Sequence, residues 1–309
     1  MLLDAASLYF RAFYGVPTSV TTPDGRPINA VRGFLDMTAR LLTTHRPQRL
    51  VACWDDDWRP AFRVEALPSY KAHRVAPEGG EEVPDELSPQ VPVLIEVLAA
   101  AGIARVGAAG YEADDVIGTL ATRARGPVDV VTGDRDLFQL VDDARGVRVL
   151  YTARGIADIE LVDEAVVSAK YGIPGRAYAD FAVLRGDPSD GLPGVAGVGA
   201  KTAAALINEF GDLAGIRAAV ARTVVPKPPL TAAVLKKMHA ASAYLDAAPV
   251  VVAVACGIDL PPVEGALPPR PADPDALAEL AERYGIGSSL GRLGAALGWP
   301  PLSPPADAP

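Results

Sequence analysis

The chain has 309 residues, 50% of them hydrophobic, with 29 glycines, 29 prolines and a formal net charge of −9. It is long enough for one large domain or two around a real core, yet it has no run of eighteen apolar residues that would span a membrane and no basic, hydrophobic leader at Met1-Leu2-Leu3-Asp4. Only Cys53 and Cys256 are present, which excludes a disulfide scaffold and a multi-cysteine zinc site and makes a cytoplasmic protein the expectation.

Met1 to Leu3 reads as a short buried strand ending at Asp4, followed by a helix over residues 5–13 that carries Arg11. A turn-rich loop, residues 21–27, leads to a helix running to about Thr44, with Asn29 as its expected N-cap and Val31, Phe34, Leu35, Leu41 and Leu42 as its apolar stripe. A second buried-type strand, residues 49–54, ends in Asp55-Asp56-Asp57. Residues 75–90 are acidic and rich in Pro and Gly, and read as a loop or poorly ordered stretch. A helix over 91–101 and a short strand at Arg105-Val106 precede Gly110-Tyr111-Glu112-Ala113-Asp114-Asp115, which opens the next helix. Continuous apolar strands at 128–132 and 147–151 follow, the first ending in Gly133-Asp134-Arg135-Asp136. From about Asp163 the pattern turns helical, at 163–171, 176–185, 199–210, 230–245 and 274–284, and the chain closes on a proline-rich tail over 300–309. Strands alternating with helices predict parallel βαβ units and a sheet covered on both faces.

In such sheets, binding groups gather at the C-terminal ends of the strands. An aspartate there is commonly only a helix cap, and for any one of them that is the simpler reading. The number shifts the balance: Asp4, the 55–57 run, Glu112, Asp114, Asp115, Asp134 and Asp136 all fall at strand ends or helix starts, and Asp187 and Asp190 share one turn face. With no comparable lysine or arginine in the same motifs, the set calls for cations. Oxygen-only ligation selects Mg²⁺, Mn²⁺ or Ca²⁺ over zinc or copper, and the absence of an EF-hand pattern disfavours calcium. Two such ions together are the arrangement for attack of water on a phosphodiester. The same clustering explains why the acidic balance does not exclude a polyanionic partner. Arg63, Lys71 and Arg74, with Tyr70 between them, follow the second acidic run and are candidates to hold phosphate. The segment from Gly194 to Thr202 lies between helices, as a tight hairpin or a phosphate-backbone clamp.

These motifs, with Phe62-Arg63, Tyr70 to Arg74, Thr132 to Leu137, Gly186-Asp187-x-x-Asp190 and Gly197-Val198-Gly199-x-Lys201, occur in one order over about residues 1–290. The chain resembles the bacterial and phage 5′→3′ exonucleases, or flap endonucleases, including the nuclease domain fused to DNA polymerase I; no polymerase segment follows, so a free-standing member is expected. The resemblance implies an α/β, PIN-like 5′-nuclease fold with a mostly parallel twisted sheet. It divides the chain into a nuclease core over 1–175, with 75–90 in the place of an arch, and a helical DNA-binding subdomain over 176–299. A helix-two-turn-helix falls at about 192–211. Hydrolysis of DNA or RNA-primer phosphodiesters by two or three Mg²⁺ or Mn²⁺ ions is implied, in replication and repair, by a monomer acting on DNA 5′ ends or flaps and on RNA–DNA hybrids. Asp4, Glu112, Asp114, Asp115, Asp134, Asp136, Asp187 and Asp190 match ligand positions; in the acidic run, gap-free spacing from Phe62-Arg63 and Lys71 selects Asp56, adjacency to the preceding aromatic selects Asp55, and Asp56 is taken. Lys71 and Arg74 match the basic pair at the scissile phosphate. Arg11, Arg63, Tyr70, Gly197, Gly199 and Lys201 match DNA contacts, and the carbonyls of Val195 and Val198 match a K⁺ site. The chain departs from the family in having Gly191 where Asn is usual, Ala5 where Gly is usual, and acidic residues 75–90 in place of a basic helical pair, which favours trimming of 5′ ends over flap cutting. A branched-DNA-binding relative without catalysis and another Mg²⁺ phosphohydrolase are the alternatives; Ala5-Ala6 after Asp4 breaks the Asp-x-Asp pair a haloacid-dehalogenase-type phosphatase needs.

Overall fold

The computed structural model describes residues 1–222 and 225–300; of the proline-rich tail, 301–309 lie outside the described residues. Six strands, Leu2–Asp4 (β1), Val51–Cys53 (β2), Ala104–Val106 (β3), Val128–Thr132 (β4), Val147–Tyr151 (β5) and Glu160–Val162 (β6), make one sheet in the order β3-β2-β1-β4-β5-β6. All neighbours are parallel except β6, which runs antiparallel to β5. That last strand is absent from the sequence reading, because three residues immediately ahead of a helix carry too little pattern to announce it. Strand order reverses between β1 and β4, and the crevice above their C-terminal ends is where such a sheet binds ligands.

Helices Ala5–Gly15 (α1), Asn29–His45 (α2), Ala61–Ala66 (α3), Gln90–Ala101 (α4) and Ala113–Arg123 (α5) alternate with the strands. Glu164–Tyr171 (α6), Tyr178–Arg185 (α7), Ala200–Phe210 (α8), Leu213–Arg222 (α9), Ala232–Ala240 (α10), Ser242–Val252 (α11), Pro274–Tyr284 (α12) and Gly287–Leu297 (α13) follow. The period-2 alternation of the strands splits the core in two. Leu2, Cys53, Val130 and Val149 pack with Val116 of α5, Phe181 of α7, Leu206 of α8 and Leu245 of α11. Leu3, Ala52, Val131 and Leu150 face the opposite side, against Leu8 of α1, Phe34 of α2 and Leu94 of α4. Leu277 of α12 and Leu290 of α13 belong to this second core, so the end of the chain returns to the sheet rather than staying with the helical part, as the division at 176–299 had it. None of the helices among the described residues is long and apolar enough to cross a membrane.

Two local expectations change. The helix expected over 230–245 is two helices, broken at Ala241 (φ −93°, ψ 10°). Asn29 is the first residue of α2, not its cap: its Nδ2 donates to the carbonyls of Phe13 and Val16, each at 2.8 Å. The free N–H of Ala30 is accepted instead by Oε1 of Gln90, at 2.8 Å, from the start of α4. A buried amide sixty residues away thus does the work of a local cap.

Candidate functional site

Above the switch between β1 and β4 lies a cleft of about 240 Å³, lined by Asp4, Asp55, Glu112, Asp114 and Asp134, with Lys71, Arg74, Phe10 and Trp58 on its walls. Asp4 ends β1 and caps α1, accepting from Ser7 N at 3.0 Å, while Thr132 Oγ1 at the end of β4 donates to its other oxygen at 2.6 Å. Thr132 Oγ1 in turn accepts Asp134 N, and Asp134 Oδ1 accepts Asp136 N, each at 2.9 Å. Asp4 is therefore both the cap that each single aspartate suggested and a wall of the cleft.

Several of these carboxylates are buried and close without a protein cation. Burial, then the charge of Asp55, raises Asp4 to about 7. Burial, then Asp4 and Asp134, holds Asp114 well above the usual carboxylate range. Asp136 is raised in the same way by burial and by Asp134, Asp190 and Asp187, and its Oδ1 is buried without a hydrogen-bond partner. Burial raises Asp55 as well, and Asp190 to about 6. Among the described residues no three acidic side chains are already drawn around one point; they ring an open cleft. The donor set is all carboxylate, with an orphaned buried oxygen among it. That suits hard, oxygen-loving divalent cations.

Not every expected ligand stands in that position. Asp55, not Asp56, points into the cleft, where its Oδ1 accepts Ala113 N at 2.7 Å. Asp56 is exposed on the outer side, 3.7 Å from Arg105 and packed against Gly107, where an added Cβ would lie 2.3 Å from its Oδ1. Asp115 is fully buried and wholly engaged: its oxygens take Arg63 Nη1 and Nη2 at 2.8 and 2.7 Å, Ala255 N at 2.8 Å, and Glu112 N as the N3 partner of a capping box. Glu112 accepts Arg63 Nη1 at 2.6 Å and Tyr70 OH at 2.7 Å on one oxygen, and the Lys71 ammonium on the other. The acidic motif carries no lysine or arginine of its own; its cations come from Arg63 and Lys71, more than forty positions earlier in the chain.

The same contacts revise two expected DNA-facing side chains. Arg63 is 2% exposed and also donates to Val251 O at the end of α11; burial pulls its pKa down, but Asp115 and Glu112 more than offset this and hold it charged. Tyr70 is buried with its hydroxyl on Glu112. Both brace the first turn of α5 rather than face solvent. Lys71, with an unusual positive φ of 46°, and Arg74 remain at the cleft. Their loop is fastened to the turn that carries Asp187 and Asp190: Lys71 N donates to Asp190 O at 3.0 Å, and Arg74 Nη2 reaches Asp190 Oδ1 at 2.9 Å and Ser189 O at 2.7 Å. Gly191, at φ +74°, is what lets the two loops touch, since a Cβ there would lie 2.1 Å from Ser69 O. Asp187 likewise has cations of its own, Arg185 at 3.4 Å and Arg135 at 3.7 Å.

Arg11 stands beside Gly133 and donates to Ala153 O at 3.3 Å. Away from the cleft, Gly197 and the N-cap Gly199 lead into α8, whose first turn carries the exposed Lys201. Val195 O accepts Val198 N at 2.8 Å, and Lys237 Nζ of α10 donates to Gly197 O at 2.8 Å, so a protein ammonium already stands at this loop. Residues that the sequence reading did not single out for the cleft are Ser7, Phe10, Trp58, Glu81 and Thr132. Thr132, preceding Gly133-Asp134 at a strand end, carried a readable signal; Glu81 carried none.

An oxygen-rich cleft at the switch point of an α/β sheet, with basic side chains on its rim, is the arrangement for metal-assisted phosphoester chemistry. Residues 1–172 match the family described as 5′-3′ exonuclease, N-terminal resolvase-like domain, and 173–275 that described as 5′-3′ exonuclease, C-terminal SAM fold. The chain belongs to the 5′-3′ exonuclease family. It is 63% identical over 298 residues to a 5′-3′ exonuclease of Streptomyces coelicolor, covering 95% of this chain and 98% of that one. It is 55% identical over 313 residues to a 5′-3′ exonuclease of Mycobacterium tuberculosis, covering 96% and 97%. A solved bacteriophage T5 flap endonuclease, in a complex with DNA and metal ions, shares the fold at a TM-score of 0.61 and 16% identity over 96% of this chain and 98% of that one. The 5′-nuclease fold expected from the motifs is the fold observed.

Proposed function

We propose that the protein hydrolyses phosphodiesters of DNA that carries 5′ ends or flaps, RNA–DNA hybrids included, and that Mg²⁺ or Mn²⁺ held by the cleft carboxylates is required. The observation that carries this reading is the convergence of Asp4, Asp55, Asp114 and Asp134 beside Lys71 and Arg74. These four, with Asp136, would hold the ions; Glu112, paired with Arg63 and Lys71, and Asp187 and Asp190, paired with arginines, would position the basic side chains beside them. When bound, the ions would supply an activated water and offset charge on the attacking and leaving oxygens.

The chain's own residues account for the rest. Lys71 and Arg74 place positive charge where a phosphate enters the cleft, and their attachment to Glu112 and Asp190 holds them there before substrate arrives. Phe10 and Trp58 offer apolar faces to a base or sugar at the 5′ end. Farther off, the N-terminus of α8 with Gly197, Gly199 and Lys201 would grip the backbone of the duplex without reading its bases. A K⁺ at the carbonyls of Val195 and Val198 belongs to the same reading, through the lone pairs each keeps for a second partner. The protein would act as a monomer in the cytoplasm.

The test is cleavage of 5′-labelled flap, nicked and blunt duplexes. Activity that is lost on chelation, restored by Mg²⁺ or Mn²⁺, indifferent to sequence and steeply weakened by salt supports the reading. Activity that survives chelation contradicts it.

A further inference from the structure

Residues 75–82 do not form an open loop. Val75 and Glu81 pair in an antiparallel bridge, Ala76 N donates to Gly80 O at 3.1 Å, and Glu82 N donates to Arg74 O at 2.7 Å. The turn is made by Gly79 and Gly80, at φ +90° and +81°, angles that glycine takes without strain. This small hairpin begins on the residue after Arg74, so it is anchored at the cation it stands beside.

Its consequence is the placement of Glu81. Of the acidic residues between 75 and 90, Glu81 is the one that lines the cleft, together with Asp55, Lys71 and Arg74. It is partly withdrawn from water and feels the charges of Asp55, Lys71, Arg74 and Glu112. The two neighbouring cations are engaged elsewhere, Lys71 by Glu112 and Arg74 by Asp190. Glu81 therefore stands on the cleft wall beside both cations without an ion pair of its own among the described residues.

We propose that Glu81 is a specificity-determining residue that sets how much single strand the cleft accepts, favouring a short 5′ end at a nick over a long 5′ flap. This rests on the phosphodiesterase reading above. A short end brings a single phosphate to the ions, and the nucleotides beyond it are duplex, held at a distance. A flap draws successive phosphates past Glu81, each repelled in a partly desolvated site where Coulomb forces are stronger than in water.

The experiment compares single-turnover cleavage of two duplexes that differ only at the 5′ end: one nicked with a 5′-phosphate, the other bearing a long single-stranded 5′ flap. The wild-type protein cleaves the nicked substrate faster. Glu81→Gln shifts the ratio toward the flap by roughly threefold and Glu81→Lys by about tenfold or more, and high salt erases the shift because it screens the repulsion. Glu78→Lys makes the same charge change at an exposed position outside the cleft and leaves the ratio where it was. A ratio unchanged in Glu81→Lys, or moved equally by Glu78→Lys, overturns the proposal while active wild-type protein leaves the phosphodiesterase reading standing. A wild-type protein inactive on both substrates with either ion overturns both.

Discussion

Two groups of carboxylates sit within one turn of each other in this protein and live in opposite electrostatic circumstances. Asp115 and Glu112, at the first turn of α5, are buried against Arg63, with Tyr70 and Lys71 completing the hydrogen bonds of Glu112. Asp114 lies between Glu112 and Asp115 in sequence, yet faces Asp4 and Asp134 in the cleft, and is held well above the usual carboxylate range. The difference is a matter of helix geometry, since adjacent residues on a helix point about 100° apart. It teaches that the number of acidic residues does not identify a metal site; the residues left without a protein cation do. The compensated group builds the wall, and the uncompensated group is available for ions.

The sharpest way to break this comparison is to make the same change on each side of it. Asp114→Asn removes a like charge from the cleft, so the metal-free protein should melt at the same temperature or higher, while cleavage falls by about 10³-fold or more. Arg63→Met should do the reverse. It leaves Asp115 buried without its cation and Glu112 with Lys71 alone, and chemical denaturation should show a loss of about 3–5 kcal/mol. Equal losses of stability in the two variants would erase the distinction.

The comparison is sharpened by the neighbouring pair Asp55 and Asp56. Asp55→Asn should lower cleavage by roughly a hundredfold, measured at saturating Mg²⁺, whereas Asp56→Asn should change it by less than about twofold. The reversed order would return the ligand to the residue that sequence spacing selects.

A smaller effect concerns pH. Asp4 titrates near 7 in the folded chain and near 3.8 as an isolated group. Between those values the folded state holds the extra proton, so this contribution to stability is complete below pH 3.8 and is lost as pH rises through about 7. Metal-free protein should therefore be more stable at pH 6 than at pH 8 by about 1 kcal/mol, and the trend should reverse when Mn²⁺ is added. Thermal melts at the two pH values, with and without the ion, check both signs.

Much of this was legible in the sequence, for reasons that are local. Apolar strands that end in aspartate, as at Asp4 and Asp134, announce a parallel sheet and the edge on which its chemistry sits. The βαβ alternation and the strands at 128–132 and 147–151 follow from pattern alone. What escaped depends on partners far along the chain. Spacing cannot tell Asp55 from Asp56, because the strand ends just before them and the turn decides which carboxylate faces Ala113. The commitment of Asp115 rests on an arginine 52 residues away, and the cap of α2 on a glutamine 60 residues away. Glu81 reaches the cleft through a hairpin turned by two glycines, inside a stretch whose composition reads as loop. Gly191 is visible as a departure from the family, but its reason, the approach of Ser69 O, is purely tertiary.

The central claim is that the uncompensated carboxylates, and not the compensated ones, hold divalent cations. The most direct measurement is anomalous diffraction from crystals soaked in Mn²⁺. Mn²⁺ is expected in the cleft, ligated from among Asp4, Asp55, Asp114, Asp134 and Asp136, with Asp115 still paired to Arg63 and Asp56 outside. Mn²⁺ bound by Asp115 or Asp56, or an empty cleft at an ion concentration that supports full activity, would contradict it.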